Sequence, residues 1–192
     1  MGQMILNQML ERLRNLRVIS NTSPLIYLSK IGKLELLRDI YSTVYVPGAV
    51  ATEILRGKEL SNGFASAIEV EGAIDNGWIQ VIELDAKEEN VAEKYSIDPG
   101  IHPGEAVVLA VGHRFDLLLL DDLGARTFAK ALGFDIVGTI GIILQAYDYG
   151  LMSFNEFEES LDDLVHYDFW IHPHLKRRIM SEAESIKNLK NI

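Results

Sequence analysis

Ile5, Met9, Leu13 and Leu16 recur at helical spacing among polar residues, which predicts an amphipathic helix over residues 4–16. The period then shortens. Arg17-Val18-Ile19-Ser20 is a β-rich run, stopped by Asn21-Thr22-Ser23-Pro24. Thr22 or Ser23 is suited to cap a helix there, and Pro24 suits its first turn. Helical segments are expected over 25–31 and 34–40, separated by Gly32. A second strand follows at 43–46, and Pro47 is expected to open a helix carrying Val50, Glu53, Ile54 and Leu55 up to Gly57. Residues 58–62 read as a loop and 64–73 as a helix. Asp75-Asn76-Gly77 reads as a turn before a third strand within 78–84, with Ile79, Val81 and Glu83 at alternate positions.

A polar helix is expected over 87–95, a loop over 96–103 and an Ala/Val-rich helix over 104–113. The apolar strand 116–120 runs into Asp121-Asp122. Residues 127–132 lie in a helix closed by Gly133, 134–137 form the fifth strand, and Thr139 is suited to cap a helix over 140–149. Two helices remain, 153–165 with a Ser153/Glu156 capping box, and 174–189. Strands alternating with helices predict an α/β fold, a parallel sheet of about five strands flanked by helices. The expected organisation is an N-terminal helix (1–16), an α/β domain (17–150) and a C-terminal helical extension (151–192).

The 192-residue length fits one such domain, and 48% hydrophobic with 24% charged residues is ordinary for a globular chain. Cysteine is absent, which excludes disulfides and thiolate zinc sites and agrees with a cytoplasmic location. No apolar run approaches the ~20 residues needed to span a bilayer. The net charge of −10 weighs against broad polyanion binding through the overall field, though metal ions can bridge carboxylates to phosphate. Arg12, Arg14 and Arg17, and Lys176, Arg177 and Arg178, form two basic clusters that read most simply as solvated helix faces.

Open parallel sheets bind ligands beyond the carboxyl ends of their strands. Strand one ends at Asn21 and strand four at Asp121 and Asp122. The helix leading into strand four begins at the same edge with Glu105 in its first turn, and the helix after strand two carries Glu53 in its second. Singly, each residue has an ordinary role as a cap, turn or dipole partner. Together they form an oxygen-rich rim suited to a hard cation such as Mg²⁺ or Mn²⁺. The five histidines read as exposed or capping residues, and Phe169 and Trp170 as packing or interface residues.

The segments VISNTSPLIYL, VPGAVATEIL and HPGEAVVLAVGHRFDLLLLDDLGARTFAKALGFDIVGTIGIIL resemble the PIN domain, in particular a prokaryotic group related to VapC-type toxin ribonucleases. The resemblance covers roughly residues 17–150. It implies divalent-metal-dependent cleavage of RNA, commonly a homodimer, and for many relatives a small antitoxin partner. By the same resemblance the family's acids fall at Asn21, Glu53, Glu105 and within the Asp121/Asp122 pair, more closely at Asp122. Thr22 and Ser23 line the metal side, and Thr139 lies near the rim. Asn21 stands where these nucleases usually carry aspartate, so it would ligate without adding negative charge. Arg126, Lys130 and Arg114 are the local cations for phosphate.

The expected function is thus a Mg²⁺- or Mn²⁺-dependent endoribonuclease, with Glu53, Glu105, Asp121 and Asp122 as catalytic residues and Asn21, Glu53, Glu105 and Asp122 as metal ligands. Thr22, Ser23, Arg126 and Thr139 would contact substrate. The alternative is a catalytically weak or inactive PIN-like module that binds RNA or protein, because of Asn21. A receiver-like phosphotransfer domain using the Asp121-Asp122 pair is a third reading, which leaves Glu53 and Glu105 without a role.

Overall fold

The structure, a computed structural model, describes residues 2–57 and 64–190. Five strands, β1 (Val18–Ser20), β2 (Val44–Pro47), β3 (Ile79–Ile82), β4 (Leu117–Leu119) and β5 (Ile136–Val137), form one parallel sheet in the order β3-β2-β1-β4-β5. Val18 lies opposite Val44 on one side and Leu117 on the other, and Leu119 pairs with Val137. Every residue of β1 and β4 is buried, which is why β4 is an uninterrupted run of leucine. β3 is an edge strand: Ile79 is buried, whereas Val81 is 42% exposed although it shares the alternation expected of an inward position.

The helices are α1 (Gly2–Arg14), α2 (Thr22–Lys30), α3 (Leu36–Tyr41), α4 (Gly48–Arg56), α5 (Phe64–Asp75), α6 (Ala86–Tyr95), α7 (Pro103–Val111), α8 (Leu123–Ala131), α9 (Thr139–Asp148), α10 (Phe154–His166) and α11 (Pro173–Lys190). The loop expected over 58–62 lies outside the described residues. Pro47 closes β2 rather than opening a helix, because its extended backbone (ψ 148°) continues the pairing with Ile82. The helix expected over 127–132 starts earlier, where Asp122 caps it. The capping box at Ser153 and Glu156 forms as its spacing predicts.

One hydrophobic core runs through the molecule. Leu25 and Leu28 of α2, Val50 and Ile54 of α4 and Val108 and Leu109 of α7 pack with the sheet. Phe157, Leu161 and Leu164 of α10 and Ile179 and Ala183 of α11 belong to the same cluster. Tyr41 is fully buried and donates its hydroxyl to Gln145 Oε1 (2.6 Å), which ties α3 to α9. Burial drives the Tyr41 phenol far above its usual range.

Candidate active site

The strand order places the site. β1 continues into α2, its neighbour β4 continues into α8, and the sheet grows outward from this pair to β2 and β3 on one side and β5 on the other. The two connections diverge beyond the carboxyl ends of β1 and β4, the usual ligand position in such sheets.

Asn21 closes β1, with its backbone N–H donating to the Leu119 carbonyl (3.2 Å). It is the N-cap residue of α2 in extended backbone, yet its side chain makes no capping bond. Asn21 is 3% exposed, and its Oδ1 is buried without a hydrogen-bond partner among the described residues. Neither Thr22 nor Ser23 is the cap. Both are already helical, and the Thr22 hydroxyl is turned across to Glu53, donating to its Oε2 (2.8 Å). Glu53 comes from α4 and reaches α7 as well: a Cβ added to Gly104 would stand 3.1 Å from Glu53 Oε2.

Glu105 occupies the first turn of α7 and is buried. Its Oε2 accepts from the His102 backbone N–H (2.8 Å), which closes the helix start. Burial pushes its carboxyl above the ordinary range. The His102 N–H opposes that, while the neighbouring charges of Asp122 and then Glu53 push in the same direction. Glu53, Glu105 and Asp122, from three separate elements, therefore stand close enough for their charges to act on Glu105. Asp122 caps α8, its Oδ1 accepting from the Ala125 N–H (2.9 Å).

Asp121 faces the other way. Its Oδ1 accepts from the backbone N–H of Thr139 (2.7 Å) and its Oδ2 from the Thr139 hydroxyl (2.6 Å). The structure thus corrects the expectation that Thr139 caps its helix. Gly138 is the N-cap residue, and Thr139 spends both donors on Asp121. Burial raises the Asp121 carboxyl above its ordinary range, against the opposing Thr139 bonds and the charge of Arg126. Arg126 is drawn inward too, donating to the Leu120 carbonyl (2.8 Å). Arg114 is paired with Glu88 (3.3 Å), so of the three cations expected to meet phosphate only Lys130 is exposed.

Two further glycines hold this arrangement close, and sequence patterns did not single them out. A Cβ on Gly138 would meet Arg126 Nη1 and Asp121 Oδ1, each at 2.8 Å. One on Gly124 would stand 2.4 Å from the Gly100 carbonyl, so the loop before α7 lies directly on the first turn of α8. The signal available was a glycine two residues after Asp122 and another just before Thr139.

Among the described residues, no three acidic or histidine side chains are arranged to grip a metal directly. Glu53, Glu105 and Asp122 each commit one oxygen to a protein donor and keep the other. The donor set is nonetheless all oxygen, with an unpartnered buried amide oxygen beside it. That fits a hard, hydrated cation such as Mg²⁺, which keeps several waters and needs only one or two direct carboxylates. The histidines have other settings. His113 lies 3.5 Å from Glu88, and His172 Nδ1 accepts from the His174 N–H (3.2 Å).

No helix among the described residues is long and apolar enough to cross a membrane. No curated protein matches the chain. A family model of the PIN domain matches residues 17–185, from the residue before β1 into α11. PIN domains are nuclease-like folds that generally depend on divalent metal. With that match spanning most of its length, and with a five-stranded parallel sheet flanked by helices, the chain belongs to the PIN-domain family.

Proposed function

We propose that the protein is a divalent-metal-dependent endoribonuclease, using Mg²⁺ or Mn²⁺ beyond the carboxyl ends of β1 and β4. The observation that carries this reading is the buried, unpartnered Oδ1 of Asn21. Leaving such an oxygen without a donor costs roughly 1–3 kcal/mol. Its neighbour Thr22 binds Glu53, and Glu53 acts on Glu105, which ties the segment that carries the orphan to the carboxylate cluster.

Asn21, Glu53, Glu105 and Asp122 would hold the metal, which when bound supplies a polarised phosphate oxygen and an acidified water. The rest is done by the chain. Thr22 orients Glu53, the His102 N–H fixes one oxygen of Glu105, and the Ala125 N–H fixes one oxygen of Asp122. Ser23, in the first turn of α2, is a hydroxyl at the rim for a phosphate oxygen. Asp121, Thr139 and Arg126 act one layer behind, setting where β4 ends and α9 begins.

The test is cleavage of single-stranded RNA during Mn²⁺ or Mg²⁺ titration against a chelator control. Metal-stimulated cleavage that Asp122→Ala abolishes supports the reading. No metal-stimulated cleavage, or cleavage unchanged in Asp122→Ala, overturns it. Asn21→Asp grades the natural site: a strong rise in cleavage marks the wild type as weakened by its amide. The resemblance to VapC-type toxins carries the finer expectation of a homodimer and a small antitoxin. Light scattering of the chain alone and with a co-expressed small partner checks both.

A further inference from the structure

The exposed face of α8 begins at the candidate site. Asp122 caps the helix, and Leu123, its first helical residue, is 77% exposed. Residues three or four apart along a helix share one face. Leu123, Thr127 and Lys130 have that spacing and all are exposed, whereas Ala125 and Ala129 are buried. The Thr127 hydroxyl bonds back to the Leu123 carbonyl (2.7 Å). Lys130 lies about 10 Å along the axis from Leu123 and makes no ion pair among the described residues.

A second segment meets this helix start. Ile97 is 79% exposed in the loop between α6 and α7. Main-chain N–H groups of Ile97 and Asp98 donate to the Lys94 and Tyr95 carbonyls, and the Asp98 carboxylate accepts from the Gly100 N–H (2.9 Å). The loop is seated on α8 at two points. The Gly100 carbonyl lies against Gly124, and the Tyr95 ring at the end of α6 meets Phe128 edge-on, with centroids 5.0 Å apart. Ile101 is buried while Ile97 stays outside. With Trp170 (75%), which lies on the turn after α10, Ile97 and Leu123 are the most exposed large apolar side chains among the described residues. Two of these three thus flank the rim, one on the loop leading to Glu105 and one directly after Asp122.

Uncommitted positive charge is scarce here. Arg114 is paired with Glu88, and Arg126 donates to the Leu120 carbonyl. An RNA strand at this rim gains little from its phosphates, so its bases, whose faces suit apolar contact, have to supply the hold. Aliphatic side chains beside Asp122, with one free cation on the same helix face, match that demand.

We propose that the Leu123–Lys130 face of α8, together with Ile97, seats the nucleotide next to the scissile phosphate. Leu123 and Ile97 cover its base, and Lys130 takes a phosphate further along the strand. The assignment rests on the reading of the chain as a ribonuclease. It makes the substrate single-stranded, because a base stacked in a duplex has no face to offer.

An abasic scan is the test. The cut in a single-stranded RNA of defined sequence is mapped under Mn²⁺, and each nucleotide flanking it is replaced in turn by an abasic ribose. One abasic strand should raise the wild-type KM roughly tenfold. Leu123→Ser and Ile97→Ser should raise KM for the intact strand, with KM moving more than kcat, and should cost nothing further on that abasic strand. Leu123→Phe should keep or lower KM. Lys130→Gln should make kcat/KM less sensitive to added salt. Losses that multiply at every position, a loss confined to kcat, or KM unmoved in both serine variants overturns the proposal. So does a serine variant that cleaves normally but changes oligomeric state in light scattering, which marks a protein interface instead. Absence of metal-stimulated cleavage in the wild type removes this seat together with the nuclease reading. Cleavage indifferent to these side chains removes the seat alone.

Discussion

Asn21 and Glu105 are buried and Asp121 is half-buried near the carboxyl ends of the central strands, and each answers differently to its surroundings. Asn21 has an oxygen without a donor; Asp121 has both oxygens supplied by Thr139; Glu105 has one oxygen supplied and two like charges close by. The Glu105 pKa lies above its unfolded value. Its protonated form therefore gives full stability below the unfolded pKa, and that stability is lost as pH rises through the folded pKa. Glu105→Gln keeps an acceptor for the His102 N–H and removes the charge. It should raise the melting temperature of the metal-free protein at neutral pH, with the gain vanishing in acid, as thermal melts across pH will show. Thr139→Val should destabilise by about 1–3 kcal/mol in denaturant titration, because Asp121 keeps its burial and loses a donor, whereas Thr139→Ser should be near neutral. The carboxylates were readable in sequence because strand-end and helix-start positions can be counted along the chain. The Asp121–Thr139 clamp was not: it joins residues 18 apart through the β4–β5 register, which periodicity does not reveal.

Among the elements, those with a signal in their own residues were legible. The Ser153/Glu156 box, the all-leucine β4 and the closing Gly133 (φ +84°) are local statements and form as read. The exposed Val81 and the strand-closing Pro47 depend on which neighbour each strand finds, and a single chain segment carries no such information. The end of α10 is the element most open to a gain. Asp168 holds a left-handed backbone that costs an ordinary residue roughly 1–2 kcal/mol. Asp168→Gly should stabilise by about 0.5–1 kcal/mol in denaturant unfolding, with the turn and the outward direction of Trp170 kept.

For the whole molecule, α10 and α11 share the core with the sheet, so their packing supports the site at a distance. Phe157→Ala should cost about 3–5 kcal/mol in equilibrium unfolding, a loss on the scale of removing a large ring from a closed interior. At neutral pH, added Mg²⁺ or Mn²⁺ should raise the melting temperature of the wild type, and less in Glu105→Gln, because a cation relieves the repulsion around Glu105. The contact of the Gly100 carbonyl with Gly124 gives this response a further property. It sets the loop before α7 against the first turn of α8 main chain to main chain, with no compliant side chain between. The mouth that Glu105 and Asp122 flank should therefore resist widening. Larger ions such as Ca²⁺, which need longer bonds and more ligands, should gain little from it, and Gly124→Ala, by wedging the loop and the helix start apart, should blunt that preference for size.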